Sequence, residues 1–84
     1  MQVRLDPAAK RILLALLASP KTPAEVSHIH GIPITIVWQK IRWLEELGVV
    51  RETLAFVSSS GEVRRYFEAE LPVDTADDEL IVDA

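Results

Sequence analysis

Two helix-start signals and two glycine stops leave the first half of this sequence little conformational freedom. Asp6-Pro7 and Thr22-Pro23-Ala24-Glu25 are the starts; Gly31, followed by Pro33, and Gly48 are the stops. Asp is a favoured N-cap, and Pro fits the next position because its missing N–H would have no intrahelical acceptor there. The Thr-x-x-Glu spacing is that of a capping box, in which each side chain accepts from the other residue's backbone N–H. These signals predict a first helix over 7–18 ending at Ser19-Pro20, and a second over about 23–30 ending at a left-handed Gly31. Pro33 then breaks the chain, and a third helix opens near it and stops at Gly48. Two short helices joined by a tight Gly-containing turn are a helix-turn-helix arrangement. Pro33 has no side-chain oxygen, so the first turn of the third helix either frays or is capped from elsewhere.

At roughly 100° per residue, Val37, Ile41 and Leu44 share one stripe of the third helix, widened by Ile36 and Leu47. Thr35, Trp38, Gln39 and Arg42 lie on the opposite arc, where a hydroxyl, an indole, an amide and a guanidinium suit contact with a groove or another surface. Ile34 lies four residues before Trp38, so the two can form a hydrophobic knob. Trp38 is open to three roles: nucleic-acid contact, protein contact and packing within the domain. Trp43 sits at the edge of the core stripe, and the stem of Lys40 runs along apolar surface with its ammonium reaching out. In the first helix Ala9, Ile12, Leu13 and Leu16 form a core stripe with Leu14 and Leu17 to one side. That side is either a wide core face or a dimer contact.

After Gly48 the period becomes that of strands. Val49 to Val57 and Glu62 to Leu71 flank Ser58-Ser59-Ser60-Gly61, which reads as a β-hairpin. On the second run Val63, Arg65, Phe67 and Ala69 face one way, and Arg64, Tyr66, Glu68 and Glu70 the other. Pro72 ends it. The expected architecture is α+β, a winged helix-turn-helix over residues 1–72, followed by an acidic tail over 73–84. The tail carries an apolar island, Leu80-Ile81-Val82. It is either disordered, docked through the island on the body or a second subunit, or laid over the basic face in competition with phosphates.

Composition sets the function classes. A chain of 84 residues with 49% hydrophobic content is expected to form one small soluble domain. Its net charge of −4 is unevenly spread. Residues 1–65 hold all nine basic and six acidic residues, +3, while residues 66–84 hold seven acidic residues and no basic one, −7. The body is mildly basic and the tail strongly acidic. There is no cysteine, so thiolate metal sites and disulfides are excluded. No apolar run approaches a membrane span, and no signal-peptide pattern follows Met1, so a cytoplasmic protein is expected. His28 and His30 are two apart on a helix and point in different directions, so a metal is not expected there. Asp74, Asp77, Asp78 and Glu79 lack the spacing of a calcium loop. With no phosphate-binding glycine loop and no nucleophile-plus-base pattern, neither an enzyme nor a cofactor is expected.

The residues also resemble a known family. Asp6-Pro7-x-x-x-Arg11-Ile12-Leu13 looks like the opening helix of ArsR-type and related prokaryotic and archaeal regulators. Gly31-Ile32 through Leu44-Glu45-Glu46-Leu47-Gly48-Val49-Val50 looks like their recognition helix and its run into the wing. Gly61-Glu62-Val63-Arg64-Arg65-Tyr66-Phe67 resembles the second wing strand. The similarity covers about residues 5–71.

It implies transcription regulation by sequence-specific binding of double-stranded DNA. The recognition helix, about 34–47, would lie in the major groove and the wing, 49–71, on the backbone. Transferred by position, Ile34, Thr35, Trp38, Gln39 and Arg42 would meet bases, while Arg64 and Arg65 would meet phosphates, with opposite pleat directions favouring one of the two. The sequence departs from the family at Trp38, where a small polar residue is usual, and at Pro33 and Ile34, where polar residues are usual. It also lacks the cysteines with which metal-sensing members bind their ions. A homodimer is expected, through Leu14 and Leu17 with Leu80, Ile81 and Val82. The competing expectation is a protein-interaction winged helix that uses Ile34 and Trp38 as its contact.

Overall fold

The computed structural model describes residues 2–70 and 81–83. In chain order the elements are β1 (Gln2–Arg4), α1 (Pro7–Ala18), α2 (Pro23–His30), α3 (Ile34–Glu46), β2 (Val50–Val57), β3 (Val63–Ala69) and β4 (Ile81–Asp83). Three helices followed by an antiparallel β2–β3 hairpin give the α+β layout of a winged helix.

The first two helices begin where their capping chemistry directs. The Asp6 carboxylate accepts from the Ala9 N–H at 2.8 Å. In the Thr22 box the Glu25 N–H donates to Thr22 Oγ1 at 3.1 Å and the Thr22 N–H to Glu25 Oε1 at 3.0 Å. Gly31 closes α2 in the left-handed region, at φ +64°, and Ser27 Oγ donates to the Ile32 carbonyl at 2.6 Å to tie down the turn that follows. α3 opens on Pro33 with no side-chain cap.

The core lies among the three helices and the base of the hairpin. Ala9, Ile12 and Leu13 of α1, Val26 of α2, Val37, Ile41 and Leu44 of α3, and Phe67 of β3 are fully buried. Ile36 and Leu47 flank the α3 stripe half-buried, as the periodicity predicted. Lys21 holds the α1–α2 connection to the wing. Its backbone exchanges two hydrogen bonds with Phe67, at 3.0 and 2.9 Å, an isolated antiparallel bridge beside β3. Its ammonium donates to the Ala15 carbonyl at 2.6 Å and to Ser19 Oγ at 2.9 Å. A cation on the last carbonyls of α1 complements the negative end of that helix.

The hairpin is not regular throughout. Its register runs from Val50 opposite Ala69 to Val57 opposite Val63, with an irregularity between Glu52 and Leu54 that leaves Thr53 without an opposite residue. A bulge of this kind reverses which side of the strand each following residue faces. Glu52 therefore shares a face with Phe67, whereas Leu54 shares the other with Tyr66.

The chain termini meet as well. β1 pairs antiparallel with β4, Val3 opposite Val82, so Ile81 and Val82 of the apolar island are brought to the N-terminal strand. Leu80 and the acidic stretch before it lie outside the described residues. Among the described residues no helix is long and apolar enough to cross a membrane.

Candidate functional site

α3 is held against α1 and α2 by its buried stripe, which leaves the opposite arc outward. Thr35, Gln39 and Arg42 are exposed there, and Ile34 at the helix start is 41% exposed. No intramolecular hydrogen bond or ion pair among the described residues engages Gln39 or Arg42. These two side chains keep their full donor and acceptor capacity for something outside the fold.

Trp38 is placed differently from its neighbours on that arc. It is half-buried and packs on the core, meeting Phe67 edge to face with ring centroids 5.7 Å apart and the planes at 90°. At 100° per residue Trp38 falls only 60° from Ile41, which puts it on the border between core stripe and outer arc. The wing occupies the space beside that border. The Arg65 guanidinium lies 5.2 Å from the Trp38 ring centroid and 5.5 Å from that of Phe67, and donates to Glu52 across the hairpin at 2.6 Å. This pairing raises the Arg65 pKa further above its ordinary value, with the charge of Glu45 adding to the effect. An exposed ion pair of this kind adds little stability, but with two aromatic rings beneath it the guanidinium has a defined place. Arg65 thus fastens the wing to α3.

The two wing arginines therefore differ, as their alternation on β3 required. Arg64 is exposed on the opposite face, with no ion pair among the described residues. The third arginine of the hairpin, Arg51, is taken up by Glu68 at 2.8 Å and Glu70 at 2.9 Å. The wing turn holds no cation; Ser58, Ser60 and Glu62 hydrogen-bond among themselves.

Between α3 and the wing is an open cleft of about 390 Å³, lined by Trp38, Arg42, Glu45 and Arg65. Its lining brings together an indole, two guanidinia and the Glu45 carboxylate, which partly neutralises them. On the far side of the body the Lys40 ammonium reaches Asp6 at 2.6 Å and lies 5.8 Å from the Trp43 ring centroid. The carboxyl of Asp6 is held below the usual carboxylate range, first by the Ala9 N–H and then by Lys40. Lys40 thus ties α3 to the start of α1 and is not part of the outward arc.

Of the residues expected at a dimer contact, Leu14 is 46% exposed, whereas Leu17 is partly buried and packed against the core. The side chains of Ile81 and Val82 lie outside what the structure describes, as does all of Leu80.

The comparisons with known proteins add no family to this geometry: no family model matches the chain, and no curated protein does.

Proposed function

We propose that this protein is a small DNA-binding transcription regulator of the winged-helix type, with α3 as the helix that enters the major groove. The observation that carries the reading is the pair Gln39 and Arg42. Both stand outward, three residues apart on the exposed arc of α3, and neither side chain has a partner among the described residues. An amide in this position matches the N6 and N7 edge of adenine, and a guanidinium matches the O6 and N7 edge of guanine. Thr35 and Ile34 complete the face near the helix start. Of the wing arginines, Arg65 acts by holding the wing at its angle to α3, while Arg64 stands exposed on the face of the wing turned away from that helix.

A module of this size offers few phosphate contacts, so the reading includes a homodimer on two half-sites about one helical turn apart. It also places the protein in the cytoplasm of a prokaryotic or archaeal cell, without enzymatic activity or cofactor, and within the regulators that its motifs resemble. The protein-interaction alternative through Ile34 and Trp38 draws less from the geometry, because Trp38 is seated on Phe67 under Arg65 and offers a partner only part of its surface.

Trp38 borders the cleft beside Arg42, so its fluorescence reports an occupant of that face. Titration of duplex DNA at about 50 mM and 200 mM salt should show affinity falling steeply between the two, as expected when phosphates displace counterions. An unchanged signal at both salts, with a duplex pool of randomised sequence, would remove the basis of the reading.

A further inference from the structure

The outer face of the wing exposes large apolar side chains between charged ones, and no other described residue covers them. The β2–β3 register sets Leu54 opposite Tyr66 and Phe56 opposite Arg64, so these four side chains share the face turned away from α3. Phe56 and Tyr66 stack with centroids 5.6 Å apart and planes at 20°, yet Leu54 remains 54% and Phe56 42% exposed. The bulge at Thr53 is what brings Leu54 and Phe56 to this side; a regular β2 would have turned them toward α3. Toward the base of the hairpin the same face carries Arg51 and Glu68, joined at 2.8 Å.

Along β3 this face therefore reads cation, aromatic, anion: Arg64, Tyr66, Glu68. On β2 it reads aromatic, aliphatic, cation: Phe56, Leu54, Arg51. Turned end for end, the pattern complements itself. A two-fold axis lying in the interface and crossing the strands near Tyr66 would bring Arg64 against the second copy's carboxylate at position 68 and Phe56 against its guanidinium at position 51. The leucines and tyrosines would meet their own counterparts at the axis. An isologous contact requires such self-complementarity. It would also cover large apolar side chains on a two-stranded hairpin, an element with little stability of its own.

We propose that this face is where two copies of the chain associate, hairpin against hairpin with the strands antiparallel. The α1 patch is a poorer contact, since of its two leucines only Leu14 is exposed and Leu17 packs against the core. Pairing through the outer wing face leaves Gln39 and Arg42 open on the other side. The contact does not depend on the DNA reading, and its test contains no DNA.

Sedimentation equilibrium of the full chain, from low micromolar to submillimolar concentration, measures the association. Dimer formation is expected. Phe56→Asp should abolish it, and Arg64→Glu, which sets two carboxylates against each other, should weaken it by about tenfold or more, while Leu14→Glu should leave it unchanged. Far-UV circular dichroism of Phe56→Asp separates a lost contact from a lost fold, and Arg64 is an exposed residue outside the core, so Arg64→Glu does not act through it. The chain has no native cysteine, so Leu54→Cys with a short bis-maleimide should give a covalent dimer and Leu14→Cys should not. A monomer at every concentration would overturn the proposal. So would a dimer that resists both wing substitutions, or one lost on Leu14→Glu.

Discussion

Phe67 is the side chain on which wing and helices depend together. It is fully buried, its backbone pairs with Lys21, and its ring meets that of Trp38 at right angles and lies under the Arg65 guanidinium. Truncation to Ala would cost about 3–5 kcal/mol. At about 0.05–0.15 kcal/mol per residue the whole domain is stable by only about 4–13 kcal/mol, so Phe67→Ala would remove much of the fold and report little else. Phe67→Leu is the informative change. It keeps an apolar side chain in the site but loses the aromatic pair, about 0.5–1.5 kcal/mol, along with part of the packing. An overall loss of about 1.5–2.5 kcal/mol is expected, which in a domain of this size lowers Tm by roughly 6–20 °C. The assay is thermal and urea unfolding in a Trp43→Phe background, so that emission reports Trp38 alone. Trp38 emission in the folded variant should also move to the red, because the indole loses its dry neighbour. A loss under about 0.5 kcal/mol with unchanged emission would refute the view that this contact joins wing to helix.

Other consequences can be checked separately. Asp6→Asn keeps an oxygen for the cap but gives up the charge that Lys40 meets, and should cost about 0.5 kcal/mol at neutral pH by urea unfolding. Because folding lowers the Asp6 pKa, the charged form stabilises the fold above the unfolded-state pKa. That contribution disappears as pH falls through the lower folded-state value, so the deficit of Asp6→Asn should shrink in acid; a deficit constant with pH would contradict the pairing. Gly31→Ala should cost about 1 kcal/mol from the left-handed backbone alone, since an added Cβ meets nothing within 4 Å. Equal stability of that variant by urea unfolding would contradict the left-handed cap. In duplex titrations Arg42→Gln, which removes the cation left unpaired among the described residues on the outward α3 face, should weaken binding and reduce the slope of log affinity against log salt by up to about 0.9. Arg65→Gln should leave that slope unchanged and lower stability instead; the reverse assignment would contradict the placement of the two arginines.

Much of this architecture was legible because capping and turn chemistry act locally. Asp6-Pro7, the Thr22 box and Gly31 mark their own boundaries whatever the rest of the chain does, and the α3 stripe follows from period alone. The hairpin faces on β3 could be read the same way. Alternation put Arg65 on the side of Phe67, and a residue on the side of the core is held by the body before it can reach a phosphate. Trp38 was harder, because its angle on α3 puts it between two arcs and only the wing's position decides which one claims it.

Three features had no local signal. The Lys21–Phe67 bridge is a single residue pair with no periodicity. The bulge at Thr53 lies in a run whose composition suits a regular strand. The β1–β4 pairing joins residues at opposite ends of the chain. Non-local contacts of this kind determine where the wing sits, and so which of its residues remain available to a partner.

Base discrimination by α3 tests the central claim most directly. Duplexes selected from a randomised pool, and point-substituted versions of the preferred one, would be titrated against the wild-type chain and Gln39→Ala. The expected result is a preference of about 5–150-fold at one base pair in the wild type, corresponding to 1–3 kcal/mol for a bidentate contact, that collapses in Gln39→Ala while the salt slope stays the same. An unchanged preference in Gln39→Ala, or no duplex bound at either salt, would contradict it.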